Sequence, residues 1–450
     1  MKKLSAILHS KEVLNRILFT LAIFLIFRIG SAITVPGVEV SDSAFSSGDI
    51  LSLMNLMGGG ALQSFSLFAL GISPYITSQI IIQLLQTDVL PTLTELSKEG
   101  ESGRKRIEMT TRYLTILLGA VQAYGVIVTM QNSQGLTLLD ESVWGYIQII
   151  IFLLAGTMLL MWLGDQITDK GIGNGISMII FAGIVSGLPT QIIAAFQLYL
   201  GEKILTDDAS LILEGTVQLA LYVLAYFLII VMVTFVEKSQ RRLPVSHSAS
   251  SASLSSTTAQ SNFLPLKINS SSVIPVIFAS SLLMAPSILV SFIAGSTPPQ
   301  WAETMINVFN YQALTEMPGY GDSVWYMPWG LIIYLILIIF FTFFYANLQV
   351  NPERIATNFQ ESGTYITGLR PGIETQKYIS KVLNRITFLG ALSLSVIAAL
   401  PVVLSLTEIV PQSLALGGTG MIIVVGVAIE INNQIEGLLA GKDYEKGGNR

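Results

Sequence analysis

The residue types that carry most enzyme chemistry are scarce in this chain. It has no cysteine and only two histidines, His9 and His247. Disulfides, thiolate nucleophiles, Cys-ligated zinc or iron–sulfur sites and His-rich metal centres are therefore excluded. Two short motifs have the spacing of binding or catalytic loops. Lys170-Gly171-Ile172-Gly173-Asn174-Gly175-Ile176 resembles a phosphate-cradling glycine cluster. Its spacing is GxGxG and no strand precedes it, so it reads as a tight turn between two apolar segments. Gly100-Glu101-Ser102-Gly103 matches the GxSG of intramembrane serine proteases. Such a serine needs a membrane helix and a histidine base, and this one lies in a charged loop. No GxxxxGK[ST] phosphate loop and no HExxH occur. The chain reads as non-enzymatic, with no cofactor, no metal and no direct nucleotide binding.

The elements that would position any site are apolar. Of 450 residues, 52% are hydrophobic and 12% charged, against about 25% charged in an average soluble domain. Apolar runs fall at about 17–34, 72–87, 113–130, 145–164, 175–196, 212–236, 273–294, 327–348, 386–405 and 416–435. About 20 residues suffice to cross a bilayer as a helix. The runs lack the period-2 alternation of a barrel, so the fold class is an all-α polytopic membrane protein with ten transmembrane helices. The basic, amphipathic N-terminus has no small-residue cleavage site directly after its apolar run, and it reads as leading into an uncleaved first span.

Charge orients the bundle. In a ten-span chain, 22 of the 24 lysines and arginines fall on one side; only Lys203 falls on the other, and Arg28 lies within the first span. The positive-inside rule then puts both termini in the cytoplasm, in a multi-pass protein of the cytoplasmic membrane. The long polar loops after spans 2, 6 and 8 share that side, where soluble partners could dock.

Span 2 is interrupted. Gly58, Gly59 and Gly60 precede a short apolar stretch at 61–70, and Gly71 and Pro74 follow before the longer apolar run. Proline in a helix interior costs about 3 kcal/mol, a penalty that vanishes in a first turn. The pattern predicts a short half-helix, a hinge and a second helix. A half-helix cannot cross a bilayer, and irregular backbone at membrane depth is tolerated only against protein or a cavity. Span 7 carries Pro275 near its start. Matching interruptions in two five-span halves point to a functional interface between the halves. The predicted divisions are an N-terminus at 1–16, halves at 17–200 and 201–436 with cytoplasmic loops at 237–272 and 349–385, and a tail at 437–450.

Paired charges of the kind that mark transport paths are lacking in the spans. Arg28 can snorkel, Asp165 and Glu430 lie near cytoplasmic helix ends, and Gln83 and Asn174 are neutral. A secondary solute transporter is disfavoured, though it stays an alternative. Ile72, Ile76 and Ile80 repeat at i, i+4, as do Ile176 and Ile180. By composition this is ordinary helix packing, although an apolar constriction can gate a pore by dewetting.

Residues 59–85, 98–106, 169–189, 273–281 and 365–372, ending in the Arg370-Pro371-Gly372 turn, resemble in order the SecY family, the central pore-forming subunits of bacterial protein translocases. The resemblance implies two inverted-repeat halves of five helices around a central pore, with a plug at about 61–70. It implies a pore ring of Ile72, Ile76, Ile176, Ile180, Ile277 and Ile423. Gly58, Gly59, Gly60, Gly71 and Pro74 would form the plug and its hinge. Ile80, Gln83, Asn174, Pro275 and Ser280 would belong to a lateral gate between spans 2 and 7. Arg104, Lys105, Arg106, Arg241, Arg242 and Arg370 would dock cytoplasmic partners. The implied partners are SecE and SecG, the SecA motor ATPase, the ribosome, signal-sequence-bearing preproteins and membrane lipid. The implied function is passage of unfolded secretory polypeptides and lateral release of membrane segments.

One departure bears on docking. The loop after span 6 is basic near its tip in the family, whereas 246–261 here holds eight serines and no Lys or Arg. An accessory paralogue with restricted clients is therefore the alternative within the same class.

Overall fold

The computed structural model describes residues 10–41, 55, 58–87, 90–132, 135–201, 203, 209–247, 263–294, 299–318, 324–407 and 410–448. His9 and most of the serine-rich tip, 248–261, lie outside the described residues.

Ten helices follow the ten apolar runs: α1 (Lys11–Ala32), α2 (Ser73–Leu85), α4 (Glu101–Asn132), α5 (Val143–Lys170), α6 (Gly175–Phe196), α7 (Ala209–Lys238), α8 (Ile274–Ala294), α10 (Trp329–Gln349), α12 (Ile373–Leu406) and α13 (Gln412–Gly448). Three shorter helices, α3 (Pro91–Lys98), α9 (Gln300–Phe309) and α11 (Pro352–Glu361), lie in the connections. Among the described residues, eight helices are long and apolar enough to cross a bilayer. Of the other two, α2 has 13 residues and reaches only about 20 Å, and α8 is apolar along Ile274–Val290.

Helix ends follow local chemistry. Pro74 sits in the first turn of α2, where its missing N–H costs nothing. Asn174 caps α6 by accepting from the Ile176 N–H at 3.1 Å, and Asn351 caps α11 through the N–H groups of Glu353 and Arg354. At the start of α5, the Ser142 N–H and hydroxyl donate to Asp140 and hold its carboxyl below the usual range. Helices α4, α12 and α13 run a dozen or so residues beyond their apolar stretches on the charge-rich side. Apolar runs mark membrane depth, and nothing in those segments breaks a helix at the water boundary.

Beside the helices, seven short strands occur among the described residues, all in connections. They form three sheets: β1 (Val38–Val40) with β2 (Leu136–Leu138), β4 (Phe263–Lys267) with β3 (Gln240–His247) and β7 (Thr364–Ile366), and β5 (Thr315–Pro318) with β6 (Val324–Met327). Strands of three to eight residues in polar loops are too short for a period-2 signal to register.

Within the C-terminal half, α10 packs on α8 and α12. Between the halves, α6 packs on α13, and α8 packs on both α2 and α4. Gly125 of α4 permits this approach, because a Cβ there would lie 2.9 Å from Ile288 Cγ2 on α8. The outer surface is greasy. On α7, Leu213, Val217, Leu221, Leu224, Phe227 and Phe235 are all exposed. An apolar face of that extent is stable only in lipid or against another apolar surface.

Candidate pore, plug and gate

Residues 58–72 enter the bundle between α1, α5 and α6 as consecutive turns, not as the expected half-helix. The hydrogen-bond pattern is the cause. The N–H groups of Phe65, Ala69 and Gly71 bond three residues back, and that of Ser66 bonds to Ala61. Others pair with the chain that leaves α1: Leu67 N–H donates to the Ile33 carbonyl at 2.9 Å, and Val35 N–H donates to the Phe65 carbonyl at 3.0 Å. Helical i→i−4 bonding would forfeit those ties. Phe65 even adopts a φ of +41° to fit.

The segment is deeply buried, with Ala61, Leu62, Phe65 and Phe68 all essentially inaccessible. Phe68 stacks on Phe27 of α1 at 5.9 Å, over Gly30, where a Cβ would strike the Phe68 ring. Thr157 of α5 donates to the Gly71 carbonyl at 3.3 Å. The Gly59 carbonyl accepts from Ser186 of α6 at 3.3 Å and, at a long 3.5 Å, from Arg28. Gly59, at φ +70°, sits so close to α6 that a Cβ would lie 2.7 Å from Gly183 Cα. Gly60 and Gly71 also hold positive φ, which L side chains resist. Gly58 lines the space below, where the segment turns toward α2.

That space is a cavity of about 10 Å³ lined by Ile72, Ile76 and Ile180 together with Gly58, Leu70, Gly71, Ser73 and Met284. It holds at most about one water, and its largely apolar walls, with Ser73 the one polar side chain, offer that water few partners. Ile277 and Ile423 are buried in the same core cluster, and Ile176 packs against it while partly exposed. Sequence reasoning placed Leu70 in the short stretch at 61–70 and missed Met284. Met284 lies seven residues after Ile277, two helical turns on the same face, which was the available signal.

Where α2 and α8 meet, Ile80 is buried on α2, and Pro275 lies buried in the first turn of α8. Ser280 donates to the Ile277 carbonyl within its own helix. Gln83 accepts a hydrogen bond from the Tyr345 hydroxyl of α10 at 2.5 Å. Asn174 is exposed and spent on capping α6, and nothing shown brings it to the α2–α8 seam.

The glycine cluster is a turn whose N–H groups serve the protein itself. Ile172 N–H donates to Thr20, Gly173 N–H to Gln434, and Gly175 N–H to Thr168. Gly100 takes a positive φ at the turn between α3 and α4, and Gly103 lies against the Leu96 carbonyl. The GxSG match is thus accounted for by a turn and a close approach.

On the charge-rich side, Arg104, Lys105 and Arg106 are exposed on the first turns of α4. Strand β3 pairs β4 on one side and β7 on the other, with Val245 opposite Ile366. Exposed Arg241 and Arg242 therefore stand on the same sheet whose other edge leads into exposed Arg370. The Arg242 guanidinium lies 4.6 Å over the Phe263 ring. No grouping of residues that could hold a metal occurs among the described residues.

These features define a polytopic helical membrane protein with a small, largely apolar cavity among α2, α6 and α8. The SecY family profile matches residues 66–432. Protein translocase subunit SecY 1 of Lactobacillus kefiranofaciens subsp. kefiranofaciens is 41% identical over 437 residues, covering 96% of each chain. Protein translocase subunit SecY of Staphylococcus epidermidis is 41% identical over 445 residues, covering 98% of each. The fold matches a solved protein-conducting channel with a TM-score of 0.63 at 17% identity, over 94% of this chain and 91% of that one. It matches Sec61 in the canine ribosome-channel complex from the endoplasmic reticulum with a TM-score of 0.59 at 16% identity, with the same coverage. The chain belongs to the SecY family.

Proposed function

We propose that this protein is the pore subunit of a translocase in the cytoplasmic membrane, with both termini in the cytoplasm. It passes unfolded secretory polypeptides across the bilayer and releases apolar segments sideways between α2 and α8. The observation that carries this reading is the apolar, nearly dry constriction at Ile72, Ile76 and Ile180, covered by an inserted segment and flanked by the two spans with interrupted sequences. Ile176, Ile277 and Ile423 complete the ring. An aliphatic ring can close around any passing side chain without needing specific hydrogen bonds, which suits many clients. The segment at 58–72 is the plug.

The chain has no phosphate-loop motif, so the work comes from a bound motor, a translating ribosome or the membrane potential. SecA and the ribosome are the proposed cytoplasmic partners, docking on Arg104, Lys105, Arg106, Arg241, Arg242 and Arg370; SecE and SecG are the proposed membrane partners. The test is reconstitution in vesicles with SecE, SecG, SecA, ATP and a secretory precursor. The precursor becomes protease-protected inside. Failure of protection, with uptake of a small solute instead, would overturn the reading.

A second reading keeps the class and narrows the clients. The absence of Lys and Arg from 246–261 favours it, since a basic loop tip would strengthen docking. Depletion of the protein followed by a survey of secreted proteins separates the two: broad loss marks a general channel and narrow loss an accessory one.

A further inference from the structure

The short helix α9 has three sides. Ala302 is buried and Ile306 and Phe309 are half-buried, so that side lies on the protein, where Phe309 packs against the main core. Glu303 and Asn307 make a polar, exposed side. Trp301 and Met305, again four residues apart, are apolar and yet 53% and 47% exposed. A surface helix in water turns its apolar stripe to the core and its polar one to solvent, whereas α9 leaves a second apolar stripe uncovered. Its depth is set by its neighbours. It starts at Gln300, shortly after α8 ends at Ala294, and β6 ends at Met327, just before α10 begins at Trp329. Helix α9 packs on α8, α10 and β5. Strand β5 pairs with β6, where Tyr326 and Met327 are also exposed. Exposed Ile293 of α8 and Ile332 and Ile336 of α10 carry the apolar surface on into the spans. The seating is close: at Gly330 of α10 a Cβ would strike the Asn310 carbonyl, and Tyr311 stacks on Tyr334 of α10 at 4.5 Å and 12°.

We infer that α9 and the β5–β6 hairpin form an interfacial float, a lipid-binding surface lying in the outer boundary of the bilayer. Trp301 and Met305 sit among the upper acyl chains, and Glu303 and Asn307 face water. Trp and Tyr favour this level because their rings are apolar at one end and polar at the other. Residues 295–326 hold no Lys or Arg and three acids, Glu303, Glu316 and Asp322. Apolar burial therefore holds the float, not attraction to anionic headgroups. Because α9 is seated on α10 and packed on α8, its level fixes the depth of the outer ends of both spans. That the float is on the outer side rests on the topology proposed above.

The chain has no cysteine, so a single introduced one is labelled uniquely. Met305→Cys, Glu303→Cys and Asn307→Cys are each spin-labelled in the full chain, reconstituted with its proposed membrane partners. Vesicles of phosphatidylcholine are compared with vesicles that also contain anionic phosphatidylglycerol. The readout is collision with oxygen, which concentrates among acyl chains, against collision with a water-soluble nickel chelate. The oxygen-to-chelate ratio at 305 is expected to exceed that at 303 and 307 severalfold, equally in both vesicles. Equal ratios at the three positions would overturn the float. Shielding of 305 from both reagents would mark a protein cover and overturn it too. A preference at 305 seen only with anionic lipid would overturn the charge-independent contact. An impermeant maleimide added to intact cells is expected to label Asn307→Cys. Labelling only after lysis would overturn the topology and the outer placement, even where the depth measurement succeeded.

Discussion

Gly59 and Gly60 offer a paired test of how the plug seals the pore. Both hold a left-handed backbone, at φ +70° and +85°. Alanine at either site incurs a strain of about 1–2 kcal/mol. Their surroundings differ. At Gly60 no atom lies within 4 Å of an added Cβ, whereas at Gly59 the Cβ would stand 2.7 Å from Gly183 Cα and 2.9 Å from the Gly183 carbonyl oxygen. Those are backbone atoms of α6 and cannot swing aside. A methyl forced into such a contact adds about 1–3 kcal/mol of overpacking. The Ser186 bond to the Gly59 carbonyl is strained in the same displacement.

The excess for Gly59→Ala over Gly60→Ala is therefore about 1–3 kcal/mol, or roughly five- to 150-fold in the population of unseated plug. The assay is ion or dye leak from vesicles containing resting channel, with no motor or precursor present. Gly60→Ala is expected to raise the leak modestly and Gly59→Ala to raise it at least fivefold further. Equal leak from the two variants would refute the claim that seating against α6 closes the pore.

Three further outcomes follow from the geometry. Ile76→Asn places an amide without a partner in the small apolar cavity, a cost of about 1–3 kcal/mol, and should wet the ring. Resting leak should rise roughly tenfold or more, measured by vesicle conductance, with Ile423→Asn acting in the same direction. Gly125→Ala should wedge α4 from α8 against Ile288, loosening the contact between the two halves by about 1–3 kcal/mol, read as increased export of weak-signal precursors. Arg370→Glu reverses an exposed charge on the shared cytoplasmic sheet. It should weaken binding of the motor in co-sedimentation, with the difference shrinking as salt rises.

Much of the fold was legible because a bilayer imposes one-dimensional rules. Run length marked the spans, and Pro74 could be assigned to a first turn from its cost elsewhere. The plug's conformation was not legible. Residues 61–70 are apolar enough for a helix, but Ile33 and Val35 compete for the backbone groups of Phe65 and Leu67. That competition arises from a chain segment some thirty residues away. The shared sheet of β3, β4 and β7 was hidden for the same reason, since its outer pairing joins strands more than a hundred residues apart. Asn174 shows the opposite failure: a polar residue near an implied gate carries a strong cap preference, and the cap is where its side chain is used. Met284 was missed because methionine in an apolar helix is unremarkable until the facing helices are known.

The two closures draw on different physical ties, and this bears on how they open. The plug is held largely by backbone bonds to the chain after α1, by Thr157 and by Ser186, all contributed by α1, α5 and α6 and their extensions. The seam is held by side chains of α2, α8 and α10. A signal helix that parts α2 from α8 breaks the second set and leaves the first intact. The plug can then stay with the N-terminal half while the seam widens. Its release awaits loss of the ring contact through Met284, the residue of α8 that faces the same small cavity as Leu70 and Gly71. On the proposed reading, lateral entry would precede unsealing, and the membrane would stay closed to ions until a chain occupied the waist.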